Sequence, residues 1–542
     1  MSRSRIAGLL LPVLAAFAVA GAGPAAAATP LPVGWPAHLV LGMSDVEHGA
    51  ADLRATTALE ARYHYLAGGV NTGQGWTTWA GGDGSFVTDY IGESQASAFL
   101  PVFSLYQLRQ SLPGINDPDE AQGDLLNLRT RATMRAFFTE LQTFFRLAGQ
   151  AGGAVVLQVE PDLWGYAQQA ANGSDDATLI PAKVAATGVP ALAGLPDTVA
   201  GVAQAVVRLR DQLAPNVQLG YHLSIWGTGV DIARSDASDV HVDELAARSA
   251  AFYRSLGARF DVLFAEFADR TPGYAAAVDG DDGGWWDAAD FARHARYLGD
   301  VSSRLNRRVI LWQIPLGNRL MRSVDNTAYH YQDNRVEWLL GPDRDAHLAA
   351  YEKAGVMALL FGKAQATDTC ACDAAADGIT NPLAINGNKL LATSADDDGG
   401  YFKRQAAAFA AAGPRALPAA TKRPVKAKPR KHPPVLRLKT STDKATVRRG
   451  HPIEVSVRVH ALEPATTLVA IQLYRPGAAK PTYQLPYRGE HFRKDRPRRL
   501  RLRFNVPKDA ATGTWTVKVG VFDPDWKRLY LWSENAAQFL VS

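Results

Sequence analysis

Sulfur is scarce in this chain: Cys370 and Cys372 are its two cysteines, and 5 methionines accompany them in 542 residues. Two cysteines cannot build a disulfide framework or complete a four-thiolate metal site. The pair in Thr369-Cys370-Ala371-Cys372-Asp373 is therefore expected to close one small-ring disulfide in an oxidising compartment. Long apolar runs are as rare. One extends from Ile6 to Ala20 behind Arg3 and Arg5 and ahead of Ala25-Ala26-Ala27-Ala28, which reads as a secretory signal with a small-residue cleavage site. Residues 1–28 are set aside on that ground, and the mature chain is expected to be exported. No later stretch reaches the roughly 18 uninterrupted apolar residues of a membrane span. Also absent are a Gly-x-Ser-x-Gly elbow, a phosphate-cradling loop ending in Lys-Ser/Thr and a His-Glu-x-x-His pair, which leaves serine hydrolase, nucleotide enzyme and zinc protease without support.

What is present suffices for more than one core. Hydrophobic residues make up 47% of the chain, enough for a large domain and a smaller one. The net charge of +5 conceals two opposed halves. Residues 415–542 carry 27 Lys+Arg against 9 Asp+Glu, or +18, which leaves −13 for residues 1–414. A basic tail on an exported chain suits an anionic cell-envelope polymer, and nucleic acid is not the expected partner.

Eight apolar runs end at Met43, Leu66, Leu105, Val159, Trp226, Glu266, Gln313 and Gly362, and segments with helical periodicity separate them. The clearest is Leu125 to Leu147, where Met134, Phe137, Phe138, Leu141, Phe144 and Phe145 share one side. Further helices are expected over Trp286–Leu305 and Asn334–Ala354. Alternation of this kind predicts a (β/α)8 TIM barrel over residues 29–412, with an open doubly wound sheet as the competing order. Polar or aromatic residues follow every strand, as the loop face of a barrel requires. Residues 413–433 are rich in Pro, Ala, Lys and Arg and read as a charge-stiffened linker. From 434 to 542, short alternating runs such as Ile453-Glu454-Val455-Ser456-Val457-Arg458-Val459 predict an antiparallel, Ig-like β-sandwich serving as a surface- or polysaccharide-binding domain. Arg499, Arg501 and Arg503 fall at period two on one of its strands.

The chemistry is expected at the strand ends. Cleavage of a glycosidic bond needs one protonated carboxyl at the leaving oxygen and one ionised carboxylate as base or nucleophile. Glu160 and Asp162 follow strand four, Glu266 and Asp269 follow strand six, and Asp45 follows strand one. Glu160 and Glu266 are the expected pair. Trp76, Trp79, Trp164, Tyr221, Trp226 and Trp312 lie at the same ends, where flat rings stack on sugar faces, and His222, Gln313, Asn318 and His330 would grip hydroxyls. The histidines match no standard metal spacing, so neither a metal nor another cofactor is expected.

Glu160-Pro161 resembles the Asn-Glu-Pro acid/base motif of the large retaining glycosidase clan built on this barrel, with Val159 in the place of Asn and Gln313 in that of the nucleophilic Glu. Val159-Glu160-Pro161-Asp162 is similar to the Glu-Pro-Asp of the inverting cellulase and cellobiohydrolase family. The resemblance implies a secreted (β/α)8-barrel glycoside hydrolase with an appended sandwich, cleaving a polysaccharide with inversion because strand seven lacks an acid. The reading from another class is a noncatalytic carbohydrate-binding or envelope-associated protein on a degenerate barrel.

Overall fold

A computed structural model describes residues 29–542 apart from 235–238, 268–270, 282–283, 322–323, 325, 327–330, 363–397, 420–435, 463, 479, 495, 525 and 527–528. The expected signal, the cysteine pair and most of the linker lie outside the described residues.

Strands β1 (Val40–Ser44), β2 (Ala61–Leu66), β3 (Leu100–Leu105), β4 (Val155–Val159), β5 (Val217–His222), β6 (Val262–Glu266), β7 (Val309–Pro315) and β8 (Val356–Gly362) close a parallel barrel in chain order. Parallel strands covered on both faces need apolar side chains throughout, and β8 is buried at every position. The covering helices are α1 (Ala50–Thr56), α2 (Ser85–Ala96), α3 (Glu120–Arg129), α4 (Arg131–Ala151), α5 (Leu163–Ala170), α6 (Val199–Leu213), α7 (Asp239–Ser255), α8 (Pro272–Tyr274), α9 (Ala288–Leu305), α10 (Arg335–Leu340), α11 (Arg344–Lys353) and α12 (Tyr401–Ala411). The aromatic side of α4 packs inward as its periodicity predicts, with Phe144 5.4 Å from Phe103 of β3.

Two expected helices divide. The stretch from Leu125 breaks between α3 and α4 at Thr130, and Asn334–Ala354 breaks at Gly341-Pro342 into α10 and α11, because proline cannot continue the hydrogen-bond ladder. The chain then returns to the bottom of the barrel. Leu39 N–H donates to Arg415 O, and buried Arg308 donates to the carbonyls of Thr29 and Pro418, clipping the two ends of the barrel segment together.

The second domain is the expected sandwich. Its strands are β9 (Leu436–Thr442), β10 (Thr446–Val447), β11 (Pro452–Ala461), β12 (Ala465–Tyr474), β13 (Tyr483–Phe492), β14 (Arg498–Asn505), β15 (Gly513–Phe522) and β16 (Leu529–Val541). They form a five-stranded sheet, β10-β16-β15-β12-β13, over a three-stranded one, β14-β11-β9. Pairing is antiparallel except between short β10 and β16. Ile453, Val455, Val457 and Val459 point into the core with Trp515, Val517, Val519 and Val521, leaving the alternate residues of β11 outside.

Candidate active site

Strand alternation decides which side chains enter the barrel. On β2, Arg62 and His64 turn out toward α2, so Tyr63 and Tyr65 turn in. The inward residues at the carboxyl ends of β3 to β6 make a hydrogen-bonded polar layer above an apolar floor. Ser104 Oγ donates to Gln158 Oε1 at 2.6 Å, Gln158 Nε2 lies 2.7 Å from His222 Nδ1, and His222 Nε2 lies 3.2 Å from Glu266 Oε2. Because Ser104 occupies the amide oxygen, the Gln158 amide donates to Nδ1, which leaves the imidazole proton on Nε2, aimed at the Glu266 carboxylate. Gly220, one inward position below His222, makes room for this floor: a Cβ there would stand 2.3 Å from the Phe264 ring.

Trp312 of β7 closes the other side. Its ring centroid is 5.6 Å from His222 and 5.6 Å from Tyr65. Tyr63 reaches across to β8, where a Cβ on Gly362 would come within 2.1 Å of its hydroxyl oxygen.

The acids after β4 are sorted by backbone conformation. Glu160 and Asp162 both take positive φ, +45° and +70°, flanking Pro161. Such conformations cost an L-residue free energy and collect at functional sites. The turn carries Glu160 back under β3, where it is buried and accepts the backbone N–H groups of Gln107 and Leu108 at 3.1 and 3.2 Å. Burial, and then the neighbouring Asp124, pushes its pKa well above the ordinary range. Asp162 is instead presented to the mouth. Its carboxylate joins His222 and Glu266 in a cluster whose donor atoms all lie within 4.8 Å of one another. The structure therefore brings together Asp162, His222 and Glu266, and it places Glu160 behind them as a support for the loop after β3.

The other expected residues separate into mouth and core. Trp226 stands half-buried against Tyr166, centroids 4.9 Å apart, with the Tyr166 hydroxyl bonded to Glu120 at 2.8 Å. Trp79 is half-buried and donates to Gln74 O, and Gln313 is half-buried in a third left-handed conformation, φ +52°. Trp76, Trp164 and Tyr221 are core side chains, not platforms. Trp76 Nε1–H donates to Gln107 Oε1, Trp164 Nε1–H donates to Val159 O, and Tyr221 packs between Trp164 and Tyr253. Asn318 is fully buried, donating to Asp398 O and accepting from Leu320 and Met321 N–H, which makes it a loop clamp. Asp45 is drawn away by Arg62 at 2.8 Å, while Arg62 also holds Glu93 of α2 at 2.7 Å. Asp269, His330, Cys370 and Cys372 lie outside the described residues.

Three contributors carried weaker signals in the sequence. Ser104 and Gln158 are polar residues inside apolar strands, and their partners are set by barrel geometry, not by spacing along the chain. Asp124 of α3 is buried, and burial pushes its carboxyl up to about 8 against the lowering effect of Arg109, with Glu120 adding to the rise. The folded chain thus holds a proton from the ordinary carboxylate range up to pH 8 that the unfolded chain has released, so stability falls as pH rises through that window. Asp124→Asn, which never ionises, is expected to raise Tm by about 2 °C or more at pH 7.5 and by less at pH 5. Calorimetry checks this; an equal shift at both values would contradict it.

A cavity of about 840 Å³ lies at the opposite end of the barrel, lined by Asp211, Asn216, Arg259 and Asn306 among others. It contains none of the strand-end acids, and active sites of this fold sit at the carboxyl face.

Fold and site together define a (β/α)8 barrel with a carboxylate, histidine and carboxylate centre at its mouth. No protein-family model matches the chain, and no curated protein sequence matches it. Among solved structures, a calcium-binding mutant of Bacteroides uniformis β-glucuronidase 2 aligns with 94% of this chain and 46% of its own at 9% identity and a TM-score of 0.33. A Listeria innocua β-glucosidase in complex with isofagomine aligns with 61% of this chain and 41% of its own at 11% identity and a TM-score of 0.15. The C-terminal domain of wzt aligns with 21% of this chain and 75% of its own at 7% identity and a TM-score of 0.18. This chain spans less than half the length of the two glycosidases.

Proposed function

We propose that the barrel hydrolyses glycosidic bonds of a polysaccharide, with Asp162 and Glu266 as the reacting pair. The convergence of Asp162, His222 and Glu266 within 4.8 Å at the strand ends carries this reading. Carboxyl groups about 5–5.5 Å apart suit direct attack on the sugar, whereas about 6.5–9.5 Å leaves room for an intervening water. The close approach of this pair favours direct attack and net retention, in place of the inverting course expected for Glu160 with Glu266.

Glu266 is the nucleophile in this scheme, its charge held and aimed by the His222 N–H. Its oxygen bonds to the anomeric carbon as the glycosidic C–O bond breaks, and Asp162 gives its proton to the departing oxygen. Water then attacks the same carbon, Asp162 takes the proton back, and Glu266 leaves. Ser104 and Gln158 hold the imidazole in the tautomer this requires, and Trp226 with Tyr166 offers a stacking surface at the rim. The chain in this reading is exported, and its basic second domain holds it to an anionic polymer.

The test is reducing-end release by residues 29–542 from plant, fungal and bacterial polysaccharides, followed by proton NMR of the first product. Turnover with net retention is expected. Inversion would sink the direct-attack assignment, and inert polymers that are nevertheless retained in pull-down would mark a noncatalytic binding barrel.

A second reading rests on the same three donors. Two carboxylates and an imidazole that converge this closely suit a divalent cation with open positions, provided the Gln158 amide turns so that its oxygen accepts from His222 Nδ1–H and Nε2 is left unprotonated to bind. The barrel would then be a metal-assisted hydrolase such as a deacetylase. Activity abolished by a chelator and restored by one divalent metal would favour this reading over the first.

A further inference from the structure

We propose that the outward face of the three-stranded sheet β14-β11-β9 docks the chain on a linear phosphodiester polymer that carries no bases. The proposal deepens the anchoring part of the reading above and does not depend on the barrel's chemistry.

Lys439 of β9, Arg458 of β11 and Arg499 of β14 stand directly opposite one another, a row of three exposed cations across neighbouring strands. Neighbouring strands lie about 4.8 Å apart, and like charges placed opposite each other destabilise a sheet. A bound polyanion would relieve that repulsion. Arg501 and Arg503 continue the exposed face along β14, and Arg437 continues it along β9. Glu454 is the one acid in these three strands, and it lies 3.7 Å from Arg501. No ion pair neutralises Lys439, Arg458 or Arg499 among the described residues.

Spacing and side-chain type narrow the partner. Outward residues recur about every 6.7 Å along β14. Six single bonds of extended chain cover about 7 Å, and a phosphodiester polymer with a three-carbon spacer has six bonds per charge. Five of the six outward cations are arginines, whose planar fork grips a phosphate through paired N–H···O bonds. The outward positions of these strands include no Phe, Tyr or Trp, the large platforms on which single-stranded nucleic acids stack, and His460 is the one ring among them. The −13 carried by residues 1–414 would repel the same polymer from the barrel mouth, so the face anchors the chain and does not feed the site.

The experiment measures binding of the full chain to poly(glycerol phosphate) at about 50 mM salt, where counterion release favours association. A triple variant K439Q/R458Q/R499Q is compared with R131Q/R135Q/R146Q, which removes the same charge from exposed positions of α4. The sheet variant is expected to bind at least about tenfold weaker and the α4 variant within about twofold of the parent. Tm of the sheet variant should hold or rise, because a repulsive row is removed. Equal losses in both variants, no binding by the parent, or equal or tighter binding of polygalacturonate, single-stranded DNA or anionic vesicles would each overturn the proposal. None of these outcomes requires turnover, so failure here leaves the hydrolase reading untouched.

Discussion

Glu266→Gln is expected to lower kcat by about 10²–10⁴-fold, the range for a reacting carboxylate neutralised without loss of shape, as the proposed role of Glu266 requires. Glutamine keeps the volume and can still accept the His222 N–H, so Tm should stay within about 2 °C of the parent. Glu266→Ala should be slower still, and azide should restore part of its rate. The azide nitrogen would attack the anomeric carbon from the vacated side while Asp162 protonates the leaving oxygen, yielding a glycosyl azide of inverted configuration. A Glu266→Gln rate within about threefold of the parent would remove this residue from the chemistry.

The largest effect on stability is expected away from the mouth, at Arg62. Its side chain is fully buried, bonded to Asp45 and Glu93 and seated 3.9 Å over the Tyr90 ring. Arg62→Ala leaves two carboxylates facing a space that no longer holds a cation. The expected cost is about 3–5 kcal/mol of unfolding free energy in denaturant titration, the usual result of breaking a buried pair from one side. Burial already raises the Asp45 pKa against the lowering influence of Arg62, so loss of the guanidinium drives that carboxyl toward its neutral form. Activity per folded molecule should be unchanged, because Asp45 is held in the barrel wall by Arg62 and is not among the clustered Asp162, His222 and Glu266.

The barrel was legible because parallel strands covered on both faces must be written as continuous apolar runs, and β8 shows this at every position. The sandwich was legible for the opposite reason: β11 alternates buried and open positions without a break. The candidate site was legible as polar residues at strand ends, and His222, Glu266 and Asp162 all stood among them. Which acid would join His222 and Glu266 was not, because the choice is made by two left-handed conformations around Pro161 that leave no periodic trace. Glu160 turns back to the N–H groups of Gln107 and Leu108, and Asp162 takes the mouth. The indoles misled for a related reason. Trp76 and Trp164 sit at strand ends as platforms would, but each Nε1–H finds a partner inside the protein, which lets the whole ring be buried. The Ser104 and Gln158 relay was hidden because its order runs around the barrel, across strands 50 or more residues apart in sequence.

Asp162, not Glu160, is the proposed partner of Glu266. The most direct measurement is the steady-state rate of Asp162→Asn beside Glu160→Gln on whichever polysaccharide the parent cleaves. Asp162→Asn should lose about 10²-fold or more. Glu160→Gln, whose amide oxygen can still accept the two backbone N–H groups, should keep its rate per folded molecule within about tenfold and show its effect in Tm instead. The reverse order, with Glu160→Gln inert and Asp162→Asn active, would contradict the account.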